Sequence, residues 1–585
     1  MGPTVELMGD NTLAGLKIIN TEQCTPADDR MLEGDLGEKD VRRVGILANG
    51  ANNLDIRRNV VVQNDQGAVL VRDGNFNTII EDNYFDNNAD MGLLIAGEGS
   101  SGVFDTYLEG NTFSGNAGVG LLIMAEDYDQ ASATILETVA NGNNEAGIAV
   151  NIMDTPGAVV TMSDITANDN GSDGISVASY ADYNDLTVTM SDITANANGS
   201  DGVNISPYGY YSYLTVTMTD VTANGNSNDG IDISPHGYYY NDVTVNMTDV
   251  TANDNGSDGV DIGPYSYYGN DLTVTMTGIT ANGNNSDGVD ISPFGYYGNE
   301  VTVTMNDVTA NDNSDDGIDV SPFAWGYYNY LTVTMTGVEA RGNSDDGIDI
   351  GPYGYYGDVT LTMTDVEATG NADDGVDIDP MVYYGDLEVS LTDVTASDNG
   401  EGGIELEPYF FYGEAMVNMT RLTANNNGDD GVEIDMRPVF GATLTLTDVT
   451  ANDNPDDGIN VDLYSYDGDL TVTMADIAAS GNSDDGVVVE VYSDEDANLV
   501  ISDSVIRNNL GIGVVADIGD VSPESEDATV TGSSIYGNGV YDLVETGGGD
   551  GVNAENNWWG TASPAPGQFD GNVDWNPWLT TDPNL

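Results

Sequence analysis

Short runs in which apolar and polar residues alternate recur along this chain. In Leu272-Thr-Val-Thr-Met276, Leu272, Val274 and Met276 fall on one side of an extended backbone and both threonines on the other. In Gly288-Val-Asp-Ile-Ser292, Val289 and Ile291 share a side and Asp290 points the opposite way. A period of two, β-branched residues, and Gly, Asn and Asp between the runs predict short strands joined by tight turns. Helical periodicity never lasts more than about a turn.

These runs form an internal repeat. A glycine preceded by polar and acidic residues marks it at Gly174, Gly202, Gly230, Gly259, Gly288, Gly317, Gly347, Gly375, Gly403, Gly431, Gly458 and Gly486, with fainter copies at Gly92, Gly120, Gly147 and Gly513. The mean spacing is about 28 residues. A unit of three short strands cannot bury its apolar side alone, so units must stack as coils about 4.8 Å apart. An asparagine lies four residues before every one of these glycines, from Asn88 to Asn509. Amides stacked at that spacing can bond from coil to coil, so this column is expected to be structural.

The early coil Asn59-Val-Val-Val-Gln-Asn64-Asp-Gln-Gly67 resembles right-handed parallel β-helix repeat proteins of the pectin-lyase-like class. So does the tail Asn556-Asn-Trp-Trp-Gly560 with Val573-Asp-Trp-Asn-Pro-Trp-Leu579. The resemblance implies an all-β chain folded as a single right-handed parallel β-helix, a solenoid of about 19 coils with about 28 residues per coil. It implies less about function, because the class contains polysaccharide lyases, hydrolases and epimerases beside non-enzymatic surface proteins. Less regular coils are expected over 1–85, with a polar insertion at 20–41 that contains Cys24. Regular coils follow over 86–515, then final coils and a Trp/Pro-rich cap over 516–585. A solenoid end exposes apolar core and unpaired strand edges, which an aromatic tail covers. Because Val5 to Ile19 already reads as strand, the chain is expected to begin inside a longer protein, its signal peptide lying upstream.

Charge narrows the function. The 585 residues carry 12 Lys+Arg against 99 Asp+Glu, a net charge of −87. Such a surface repels nucleic acid and anionic lipid and attracts cations. No run of 18 apolar residues exists, so membrane insertion is not expected. One cysteine, Cys24, and one histidine, His236, exclude an intramolecular disulfide framework and argue against a cysteine or histidine metal centre. Lys17, Arg30, Lys39, Arg42, Arg43, Arg57, Arg58 and Arg72 concentrate the basic charge near the start. They read as ordinary surface charge or as a site for an anionic partner, such as the acidic flank of another copy.

Two acidic columns are candidate metal ligands. Two residues after the glycine stand Asp232, Asp261, Asp290, Asp319, Asp349, Asp377, Glu405 and Glu433; one residue before it stand Asp258, Asp287, Asp316, Asp346 and Asp374 among others. From Asp315 onward a third acid precedes the second. Carboxylates about 5 Å apart repel by about 0.8 kcal/mol even at the dielectric of water. Such stacks call for cations, and two readings fit: specific Ca2+, which takes six to eight oxygens in adaptable geometry, or a halophilic face solvated in molar salt.

Other columns carry further readings. Thr-x-Thr pairs such as Thr302/Thr304 and Thr360/Thr362 form a flat outward array, interrupted at Glu388 and Met416, which suits ice binding or simply an exposed strand. Tyrosines such as Tyr210, Tyr238 and Tyr355 fill the turn after the acidic strand, where they cover that turn, stack on a polysaccharide or join copies laterally. His236 replaces the Tyr or Phe of sister coils and reads as drift. The weak catalytic candidates are Asp379, Glu407, Asp435, Arg421 and Arg437, in an irregular acidic patch that also holds Asp377, Glu405 and Glu433. The function expected is an extracellular or cell-surface stalk, adhesin or filament module with a cation-binding acidic face. The alternative is a polysaccharide-active enzyme of the same fold.

Overall fold

The computed structural model describes residues 5–7, 12–19, 44–49, 53–64, 66–73, 76–99, 101–326, 328–520, 526–547 and 551–584. The insertion at 20–41, with Cys24, Arg30 and Lys39, lies outside these residues, as do Arg42 and Arg43. The described residues form about 18 turns of parallel β-solenoid with roughly 28 residues each. No α-helix occurs among them. The chain divides into two compact units, residues 1–274 with 278–285 and residues 275–277 with 286–585.

Both units use the same coil. In the second, Ile348–Ile350, Tyr353–Tyr356 and Val359–Thr369 are followed by Val376–Ile378, Met381–Tyr384 and Leu387–Ser397. Each strand pairs in parallel with its counterpart one coil on. Ile318, Ile348, Val376, Ile404, Val432 and Ile459 therefore stack as one fully buried row. In the first unit Ile148, Ile175, Val203, Ile231 and Val260 do the same.

Strict alternation fails at one place that the long strands of both units share, and the failure makes a corner. Val359, Leu361 and Met363 point inward, but the next inward residues are Val366 and Ala368. The slip falls at Asp365, whose φ of 53° is left-handed. Asp393, Arg421 and Asp448 occupy the same corner in following coils, and Asp164, Asp192, Asp220 and Asp249 occupy it in the first unit, all at positive φ. Asp, Asn and Gly enter that region at least cost. Part of the acidic composition is thus a backbone requirement.

The asparagine column is the second fixed feature. The backbone N–H and side-chain amide of Asn343 both donate to Asn371 Oδ1 at 3.0 Å, and those of Asn371 donate to Asn399 Oδ1 at 3.0 and 3.1 Å. Asn170, Asn198, Asn226 and Asn255 repeat this in the first unit. All are essentially buried. Beside this column the coils touch so closely that a Cβ at Gly375 would lie 2.6 Å from the Gly403 carbonyl oxygen and 2.5 Å from Asn399 Nδ2. A further ladder escaped sequence reading: Asn241 Nδ2 donates to Asn270 Oδ1 at 2.8 Å and to the Tyr265 carbonyl at 2.8 Å, pinning the aromatic turn.

At the other end of the chain, buried Trp559 meets Phe569 edge-on at 4.7 Å, and Phe569 stacks on Trp575 at 5.1 Å. The Trp558 N–H donates to the Ser533 carbonyl. The tail therefore packs on the last coils through its aromatics.

Asn371→Ala strands the backbone N–H of Asn343 in a buried turn and leaves its side-chain amide only the Ala310 carbonyl. The variant is expected to lose about 3 kcal/mol of unfolding free energy, measured in urea, while Thr362→Ala on the outer face shifts it by less than about 0.5 kcal/mol. Equal effects would contradict the ladder's structural role.

Candidate functional site

Parallel, in-register pairing of the strand after each marker glycine sets its acids side by side. Register places Asp319 beside Asp349, Asp349 beside Asp377, Asp377 beside Glu405 and Glu405 beside Glu433. In the first unit Asp232 stands beside Asp261. These acids are half-buried. One oxygen, Oδ1, of Asp232, Asp319, Asp349 and Asp377 is enclosed and accepts no hydrogen bond. The other oxygen of Asp319 accepts from the Ser321 hydroxyl at 2.9 Å.

The column just before the glycine behaves differently from the column after it. Each carboxylate folds over the next coil and accepts its backbone N–H: Asp316 donates to Asp287 at 2.8 Å, Asp346 to Asp316 at 2.8 Å and Asp374 to Asp346 at 2.7 Å. In the first unit Asp258 donates to Asp229 at 2.9 Å and Asp229 to Asp201 at 3.1 Å. Asp201, Asp229, Asp258, Asp374 and Asp430 are consequently buried. These acids serve the turn as well as any ligand.

In the second unit the third acidic column closes groups of three. Asp287, Asp315 and Asp316 each bring one oxygen within 4.8 Å of the others. The same holds for Asp316 with Asp345 and Asp346, for Asp346 with Asp373 and Asp374, for Asp349 with Asp377 and Asp379, and for Glu405 with Glu407 and Glu433. Of the two main columns, Asp287, Asp316, Asp346 and Asp374 are grouped through Asp315, Asp345 and Asp373, and Asp349 with Asp377 and Glu405 with Glu433 through Asp379 and Glu407. The signal of Asp315, Asp345 and Asp373 in the sequence is the doubled acid that begins at Asp315.

Crowding disturbs the acids strongly. Burial, reinforced by the charges of Asp319 and Asp377, pushes Asp349 up to about 9. Burial chiefly raises Asp346 to about 8 and Asp316, Asp319 and Asp377 to about 7, with neighbouring carboxylates adding to it. Glu405 is pushed up to about 9 by burial and by its contact with Asp374. In the first unit burial raises Asp232 to about 7 and Asp229 to about 6. At the dielectric of water, two full charges 4.8 Å apart already repel by about 0.9 kcal/mol.

Of the catalytic candidates, Arg437 pairs with Asp435 and both act electrostatically on Glu407, while Arg421 pairs with an aspartate outside the set. Arg421 occupies the corner column and donates to Asp393, one oxygen of which it meets at 2.7 Å. Arg437 bridges Asp435 at 3.0 Å and Asp462 at 3.3 Å. Asp379 groups with Asp349 and Asp377, while Glu407 groups with Glu405 and Glu433. His236 is a rung in an aromatic ladder, 5.1 Å from Tyr208 and 4.5 Å from Tyr265, and burial lowers its pKa. Arg57 is paired with Asp55 and Glu81.

The family model described as the right-handed β-helix region matches residues 39–187 and 384–558, more than half of the chain. No curated protein and no solved structure matches the chain.

The raised acids fix the sign of the pH response. Between the ordinary aspartate value near 3.8 and the raised values near 7 to 9, the folded chain binds more protons than the unfolded chain. Their contribution to stability is complete below about pH 4 and is lost as pH rises through 7 to 9. In chelator at low salt, the melting temperature is expected to fall between pH 5 and pH 9. A flat or rising profile would contradict this.

Proposed function

The chain belongs to the right-handed β-helix family, and from that premise we propose that it is a non-catalytic structural module outside the cell whose stacked carboxylates are completed by calcium. The observation that carries this reading is the set of carboxylate triplets with oxygens within 4.8 Å of one another. Ca2+ binds oxygens at about 2.3–2.6 Å and accepts irregular shells of six to eight, so one ion can sit among three such oxygens and fill its shell with water and second carboxylate oxygens. Oxygens such as Asp349 Oδ1, enclosed and without a hydrogen-bond donor, gain a partner when a cation binds.

The extracellular setting suits sites built from half-buried side-chain carboxylates that water must complete. Extracellular modules of this kind work at roughly 10⁻⁴–10⁻³ M calcium. A stalk, adhesin or filament role is supported by the uniformity of the coils within each unit, where the same side chains recur in register. The pairing of Arg421 and Arg437 with aspartates supports a stabilising role for these arginines over proton abstraction from a sugar.

Equilibrium dialysis against calcium in about 150 mM sodium chloride tests the proposal. Asp345→Asn with Asp373→Asn neutralises the third acid of two triplets and is expected to remove about two bound ions from the saturated total. Unchanged binding, or none above the sodium background, would leave the columns as a face for molar salt. Turnover of a uronate polymer that is lost in Arg437→Ala would contradict the non-catalytic reading.

A further inference from the structure

The outer face of the long strand in the second unit repeats threonine and is broken in one place. Thr332, Thr360, Glu388, Met416, Thr443 and Thr471 stand in register. Glu388 and Met416, which interrupt the threonines, line a groove of about 520 Å³. Ligand sites normally have volumes of about 300–1,000 Å³.

A second break lies beside the first. Asp358, Asp386 and Glu414 occupy successive coils, with the Asp386 N–H donating to Asp358 Oδ1 at 3.0 Å and the Glu414 N–H to Asp386 Oδ1 at 2.9 Å. The next position is Gly441 and the one after it Asp469, as the pairing of their neighbours shows. Gly441 has φ 114°, and a Cβ there would lie 2.5 Å from the Asp469 carbonyl oxygen. It opens the acidic row where Met416, 51% exposed, and Phe440, 49% exposed, face solvent. All the charged residues lining the groove are acidic.

This lining combines carboxylates at the coil spacing of about 4.8 Å with two exposed apolar side chains. A hydrated metal ion gains nothing from Met416 and Phe440, and an anion is repelled. Ammonium groups joined by three or four methylenes match both features: their charges recur near the coil spacing, and their stems cover apolar surface as lysine stems do, with a cation over the Phe440 ring adding attraction. We propose that the groove around Met416, Phe440 and Gly441 binds a linear aliphatic oligoamine. The groove's lining shares no residue with the carboxylate triplets named above, and the proposal does not depend on their reading.

The probe is bis(3-aminopropyl)amine, titrated calorimetrically into the full chain in about 150 mM sodium chloride with excess calcium, which competes for the rest of the acidic surface. One saturable event near one equivalent is expected. Glu388→Thr with Met416→Thr, which restores residues that sister coils already fold with, is expected to weaken it at least tenfold, circular dichroism confirming the fold. Weak binding of many equivalents, unchanged in the variant, would overturn the proposal in favour of general attraction to the acidic surface. Equal affinity for hexylamine would overturn the requirement for repeated charge, and tighter binding of trilysine would replace the oligoamine by a basic peptide.

Discussion

Parallel stacking in a register that shifts only locally, as between Gly209 and Tyr211, is the constraint on which the rest of the molecule depends. Within each unit nearly every residue faces its own counterpart about one strand spacing away, so a residue type survives in a column only if it tolerates itself as a neighbour. Apolar side chains meet that condition by packing, as Ile348, Val376 and Ile404 do. Asparagine meets it because one amide is both donor and acceptor. Aromatic rings meet it by stacking, as Tyr356, Tyr384 and Tyr412 do at 4.8 Å between centroids.

Aspartate meets the condition only in part. Where a carboxylate accepts the next coil's backbone N–H, as Asp316 and Asp346 do, the turn gains a bond but the charges stay close. Where no donor reaches it, as at Asp349 Oδ1, the carboxylate has burial and repulsion alone, and its pKa is pushed up to about 9. A proton or a cation removes the same penalty. At the corners the acids cost less: Asp365, exposed, and Asp393, half-buried, sit at positive φ, and Gly337 replaces them in a sister coil because backbone conformation, and not charge, is what that position requires.

Most of the fold was legible because the repeat displays it many times over. Period-two runs placed the strands, and the asparagine before each glycine placed the register. The corner was not legible in the same way. The doubled polar pair Thr364-Asp365 between Met363 and Val366 marks it, but reads as a lapse in alternation until the left-handed residue is seen. The burial of Asp374 and Asp430 was hidden for a related reason: alternation says which way a side chain leaves a strand, and these residues lie in a turn. The triplets were half visible, since the third acid at Asp315 was plain while its closeness to Asp287 depends on how adjacent coils superpose. The groove at Gly441 was announced only by Glu388 and Met416 breaking the threonine row.

The central claim is that the carboxylate columns are incomplete without bound cations. Thermal unfolding measured in chelator, in millimolar calcium, and in sodium chloride at matched and at molar ionic strength tests it most directly. The account predicts a large rise in melting temperature with calcium that sodium at matched ionic strength does not reproduce, because an ion bound only by the folded state stabilises it. A rise that appears only in molar salt, equally with or without calcium, would contradict it.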